Sequence, residues 1–171
     1  MGAKKKELKK NKPIVVAVSG GFDPVHVGHV RMFNAAKRLG DKLIVILNND
    51  NWLRKKKGYV FMAQKERKEI IQAFGAVDKV IFTRHPKDPK DMSVSRELRI
   101  IRPDIFANGG DRRKGNLVIA ELDVCRQIGC RVALGVGGGK VQSSSWLIHG
   151  YASHSFCPCG SKRRWKKCHG A

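Results

Sequence analysis

The chain has no uninterrupted apolar run near the roughly 18 residues needed to cross a bilayer. Its early run, Ile14–Val18, is also too short for the hydrophobic segment of a secretory signal. A membrane protein or an exported one is therefore not expected, and the sequence reads as soluble and cytoplasmic. Acidic residues are scarce: 14 Asp and Glu stand against 35 Lys and Arg, for a net charge of +21. That balance argues against cationic ligands and favours anionic ones such as nucleotides, phosphorylated metabolites or nucleic acid. Cysteines number five, an odd count without a secretory signal, which argues against a disulfide framework.

What is present suffices for one domain. The 171 residues include 42% hydrophobic side chains, enough to bury a core and too few residues for a multidomain enzyme. The charge is uneven. Residues 1–12 carry six lysines and one acid, and residues 150–171 carry five basic residues and none. Each segment therefore holds +5, leaving +11 for the body between them. The expected organisation is a basic flexible arm over 1–12, a globular domain over 13–149 and a basic tail over 150–171.

Within the body, short apolar runs alternate with amphipathic stretches. Residues 14–18, 43–47, 77–82, 105–107 and 131–134 read as strands. Residues 29–39, 63–74, 93–101 and 116–128 read as helices, the first closed by Gly40, the second by Gly75 and the last capped by Asn116 and closed by Gly129. This rhythm predicts a doubly wound, Rossmann-like α/β fold, with a parallel five-stranded sheet and helices on both faces. Ligands of such sheets collect beyond the carboxyl ends of the strands, where strand order reverses. The loops that follow strands are accordingly the informative ones.

The loop after the first strand reads SGGFDPVHVGHV. Gly20 and Gly21 permit a tight turn, and His26 and His29 frame a helix start whose free N–H groups favour an anion. Two loop histidines are more often merely solvated, but the pairing with the glycines and Asp23 points to phosphate. The segment GGFDPVHVGH resembles the signature of the nucleotidyltransferase superfamily, HxGH, formed here by His26, Val27, Gly28 and His29. Segments 55–71, 107–111 and 141–146 follow in the order of that family's lysine-bearing loop and arginine-containing helix, its post-strand loop and its serine-rich helix start. Within the family the chain looks closest to adenylyl- and cytidylyltransferases acting on sugar or polyol phosphates, and the GGD at 109–111 leans toward an adenylyltransferase.

The resemblance implies transfer of a nucleoside monophosphate from a nucleoside triphosphate to a small phosphorylated acceptor, with release of pyrophosphate. His26 and His29 would hold the triphosphate, and Gly20, Gly21, Phe22 and Gly28 would line its pocket. Asp23 would reach phosphates through Mg²⁺, and Asp111 would hold base or ribose. Lys55 or Lys57, in a loop after the second strand, would bring a cation to the reacting phosphates, and Arg67 would face the substrate or phosphate site. Ser143, Ser144 and Ser145, opening the last helix, would hold the outer phosphates. Where relatives acting on glycerol phosphate carry an arginine before this serine segment, GVGGGK places Lys140, which lacks the bidentate reach of Arg. Proteins of this kind are often homodimers.

The tail CPCGSKRRWKKCH places Cys157, Cys159, Cys168 and His169 as four ligands suited to a tetrahedral Zn²⁺, and it resembles the small zinc motif at the C-terminus of the SecA translocase. Such a knuckle fits a docking role toward protein or RNA, with Trp165 set among basic residues. Cys125 and Cys130 read as buried, inert thiols. A noncatalytic nucleotide- or RNA-binding protein on the same fold is the alternative to the enzyme.

Overall fold

The computed structural model describes residues 12–109, 118–152, 161 and 163. Eleven elements run in the order β1 (Val15–Gly20), α1 (Val27–Lys37), β2 (Lys42–Leu47), α2 (Asp50–Lys57), α3 (Gln64–Gln72), β3 (Lys79–Phe82), α4 (Ser95–Ile101), β4 (Ile105–Gly109), α5 (Ile119–Ile128), β5 (Arg131–Val136) and α6 (Ser144–Ala152). The five strands form one parallel sheet in the order β3-β2-β1-β4-β5. The chain winds outward from β1 through β2 to β3, then crosses back to place β4 on the other side of β1. The reversal falls between β1 and β4.

Alternation along the strands explains both layers. Val16 and Val18 point to the face that packs on Phe33 and Ala36 of α1 and Ile71 of α3. Ala17, between them, points to the face covered by Leu98 of α4 and Val124 of α5. Because both faces are covered, the strands are apolar throughout rather than alternating, which is why they are visible as continuous runs. Cys125 and Cys130 are buried in the second layer, as expected of structural thiols.

One expected loop is a helix. The basic run Arg54, Lys55, Lys56 and Lys57 forms the second half of α2, begun by Asn49, whose side chain accepts the Trp52 N–H at 3.1 Å, and ended by Gly58 with φ 79°. Asp50 in its first turn and four cations in its last suit the helix dipole at both ends. Helix α5 starts at Ile119, later than the sequence suggests, and Asn116 lies outside the described residues. So do residues 1–11 of the arm and Asp111, Cys157, Cys159, Cys168 and His169. Among the described residues, no group of three or more metal-ligating side chains occurs, and no helix is long and apolar enough to cross a membrane.

Candidate active site

Above the strand-order reversal, beyond the carboxyl ends of the strands, lies a cavity of about 440 Å³. His26 and His29 line it from the start of α1. His26 is the N-cap of that helix. Its Nδ1 accepts the Gly28 N–H at 3.1 Å, and its own N–H donates to Nδ1 of His29 at 3.2 Å. This is a reciprocal capping arrangement in which imidazoles replace the usual hydroxyl and carboxylate. The rings stack with centroids 3.6 Å apart, and Phe22 packs edge-on against His29 at 4.9 Å.

These contacts fix protonation as well as position. Each Nδ1 accepts a backbone N–H, so the proton of each neutral ring sits on Nε2, leaving an N–H donor for a ligand oxygen. Burial, then His26 and Lys57, push the His29 imidazole down to about 3. Burial, then Lys57 and Lys140, lower His26 as well. Both rings are therefore neutral near pH 7 in the free protein. The family spacing also has a steric cause. A Cβ on Gly28 would stand 3.0 Å from Cε1 and Nδ1 of His26, so only glycine leaves the ring where it is.

The β2 side of the cavity carries α2. Lys57 lines the cavity, and its Nζ donates to the Asp23 carbonyl at 2.7 Å. Burial lowers this ammonium, with Asp23 opposing the shift and Arg67 adding to it. Of the two lysines singled out, Lys55 instead points away to Asp88 at 2.6 Å, with its side chain half exposed, whereas Lys56 joins Lys57 on the cavity wall.

Asp23 and Arg67 stand beneath the cavity rather than in its lining. Asp23 is fully buried, and its two carboxylate oxygens accept the N–H groups of Phe61 and Met62 at 2.9 and 2.7 Å. Arg67 is also fully buried. It donates to the carbonyls of Met62, Gly21 and Asn48 and pairs with Asp50 at 2.7 Å. The pair of side chains expected to touch phosphate or metal thus ties the β1–α1 loop to the segment leading into α3.

The β5 side is built from a glycine turn and a helix start. Gly137, with φ 93°, packs so closely on α1 that an added Cβ would stand 2.7 Å from the Met32 Cα. Lys140 follows, its Nζ 4.7 Å from the centre of the Trp146 ring. Ser143 caps α6 by accepting the Trp146 N–H at 3.1 Å, and the Ser144 hydroxyl donates to the Pro24 carbonyl at 2.9 Å. All three serines line the cavity, as do Gly20, Gly21, Phe22 and Gly28.

Several lining residues were not legible as site residues. Trp52 lies on the helix read as a loop; Lys56 and Asn108 lie within segments 55–71 and 107–111 of the family resemblance but have no role of their own in it, Asn108 standing near the end of β4. Asn108 is 5% exposed, and its Nδ2 has no hydrogen-bond partner among the described residues, which leaves a buried donor facing the cavity. The triple glycine at 137–139 also carried a signal, since such a run permits close backbone approach.

Comparison with known proteins agrees with this geometry. Residues 17–124 match the family model described as cytidylyltransferase-like. The bifunctional protein HldE of Gluconobacter oxydans is 36% identical over 141 residues, 81% of this chain and 28% of that protein. The FAD synthase of Pyrococcus abyssi is 36% identical over 103 residues, 60% of this chain and 66% of that protein. The chain thus spans about a quarter of the HldE relatives and about two thirds of the FAD synthases. A crystal structure of the lipopolysaccharide core biosynthesis protein from Thermoplasma volcanium has the same fold, with a TM-score of 0.59, 26% identity, and 72% of this chain and 94% of that one covered. With an HxGH helix start at the strand-order reversal of a five-stranded parallel sheet, and a family model matched across most of that sheet, the chain belongs to the cytidylyltransferase-like family.

Proposed function

We propose that the protein is a nucleotidyltransferase that moves a nucleoside monophosphate from a nucleoside triphosphate, ATP in preference to CTP, onto a small phosphorylated acceptor. An oxygen of the acceptor phosphate bonds to the α-phosphorus, the α–β phosphoanhydride bond breaks, and pyrophosphate leaves. The observation that carries this reading is the stacked, neutral His26–His29 pair, set between Lys57 on one wall and the serine start of α6 on the other.

Each group has a physical role. The Nε2–H donors of His26 and His29 meet the charge that grows on the reacting phosphate, in a site where they need no reorganisation. The Lys57 ammonium adds a point charge beside them. The N–H groups of Ser144 and Ser145 in the first turn of α6, with the serine hydroxyls around them, donate to the outer phosphates. No base is required, because the acceptor phosphate is already an anion near neutral pH.

Mg²⁺ enters this scheme with the triphosphate, as part of the substrate. No carboxylate among the described residues lines the cavity, and Asp23 spends both oxygens on backbone N–H groups, so the described residues do not form a resident cation site. The homologous HldE and FAD synthase support a phosphorylated acceptor, either a sugar phosphate or a flavin phosphate. The noncatalytic reading has the net charge of +21 behind it but gives no reason for two neutral imidazoles facing a cavity.

The test is pyrophosphate release with Mg²⁺, comparing ATP and CTP across sugar, polyol and flavin phosphates, with His29→Ala as control. Acceptor-dependent release that falls at least a hundredfold in the variant is expected. Full activity in folded His29→Ala protein would refute the assignment.

A further inference from the structure

A buried polar network behind α2 has no part in the chemistry above, and it ends on one side chain. Thr83 and His85, just beyond β3, are buried, and His85 Nδ1 lies 2.9 Å from Thr83 Oγ1 and its Nε2 3.1 Å from the Ser93 carbonyl. Asn49 and Asn51 both donate to the His85 carbonyl, and Asp91 accepts the Ser93 N–H at 2.8 Å. The segment between β3 and α4 is thereby held against the start of α2. It presents the Met92 carbonyl to Nε1 of Trp52, which donates to it at 2.8 Å.

Trp52 is thus anchored by its only polar atom while remaining part-exposed on the cavity wall. A Cβ on Gly21 would stand 3.5 Å from the ring edge, so the β1–α1 loop also abuts it. A large aromatic face held in one orientation loses little entropy when a ligand stacks on it.

Its place in the sheet says which ligand. In phosphoryl transfer the attacking and leaving oxygens lie roughly in line through phosphorus. The leaving pyrophosphate belongs at the α6 start, after β5, on one side of β1. The attacking phosphate must then approach from the other side, after β2, where Lys56, Lys57 and Trp52 stand.

We infer that Trp52 is the stacking platform for the acceptor, and that the acceptor is a phosphate monoester whose organic part presents a ring face rather than an acyclic polyol chain. This rests on the nucleotidyl-transfer reading and deepens it. Two sources share that chemistry, a sugar ring and a flat heteroaromatic ring, and both stack on an indole through dispersion and burial of apolar surface.

Glucose 1-phosphate, riboflavin 5′-phosphate and glycerol 3-phosphate serve as acceptors in the same pyrophosphate assay, with wild type, Trp52→Ala and Trp52→Phe. At least one ring acceptor should exceed glycerol 3-phosphate by tenfold or more in kcat/KM, and which one does so identifies the source. Trp52→Ala should raise the KM of that acceptor by roughly tenfold, leave the KM of the triphosphate within about twofold, and be largely rescued in Trp52→Phe. Equal use of glycerol 3-phosphate, an unmoved acceptor KM, or a rise confined to the triphosphate KM would overturn the platform while leaving nucleotidyl transfer intact. Silence with every acceptor, from folded wild-type protein, would overturn both.

Discussion

Replacing Gly28 by alanine sets helix stability against the placement of one catalytic ring. Gly28 occupies the second position of α1, and alanine is favoured over glycine in helices by about 1 kcal/mol, of which a first-turn site captures part. Against this, the new methyl would stand 3.0 Å from Cε1 and Nδ1 of His26 and 3.7 Å from Cγ2 of Val141. The ring must yield by a few tenths of an ångström, and the Gly28 N–H bond to Nδ1, worth about 1 kcal/mol net, is lengthened or lost. The two effects nearly cancel in stability, so unfolding should move by less than about 1 kcal/mol in either direction. They do not cancel in catalysis. A displaced ring, no longer held with its proton on Nε2, offers its donor in the wrong place, and turnover at saturating substrates should fall roughly tenfold or more. Gly75→Ala is the matched control, because nothing lies within 4 Å of its added Cβ. Pyrophosphate release and urea unfolding would be measured on the three proteins in parallel. Wild-type turnover in Gly28→Ala would show that the His26 ring need not be where the helix cap holds it.

Three other outcomes follow from the same contacts. His29 is pushed down to about 3 from an ordinary value near 6.5, so between those limits the unfolded chain binds a proton that the native state refuses. Stability should therefore fall as pH drops, by up to about 1.4 kcal/mol per unit, or about 2 kcal/mol between pH 6.5 and 5. Urea midpoints at pH 5 and 7 check this, and His29→Asn should flatten the dependence; an equally steep slope in the variant would assign it elsewhere. Arg67→Met strands three carbonyl acceptors and the Asp50 carboxylate, and should cost about 3–5 kcal/mol in chemical denaturation, with a loss under 1 kcal/mol counting against the buried clamp. Lys57→Met should lower kcat/KM by roughly 10–100-fold, whereas Lys55→Met, which breaks only an exposed pair, should stay within about twofold. Equal losses in the two would mean that the cavity geometry does not choose between them.

Helix α2 shows where reading the chain fell short for local reasons. Its signals, Asn49 at the start and Gly58 at the end, are present in the sequence, but a run of four cations carries no apolar periodicity to reveal a helix. The histidine pair, by contrast, was legible because its geometry is local. His26 and His29 meet across one helical turn, and Gly28 between them is demanded by the same turn.

The apolar rhythm alone determined five strands, their burial on two faces and the doubly wound arrangement, because side chains alternate along a strand whatever lies far away. The local glycine and histidine pattern, in turn, marked the helix start that carries the site. Only the tertiary structure decided which charged groups reach the cavity. Asp23 finds its backbone partners 38 and 39 residues onward, and Arg67 reaches back 46 residues to Gly21. Whether a carboxylate or guanidinium faces ligand or interior depends on which distant N–H and carbonyl groups the fold leaves unpaired, since a buried charge persists only where such partners satisfy it. Lys55 and Lys57 differ for the same reason: two residues apart on a helix they point to different sides, and the fold decides which side is the cavity.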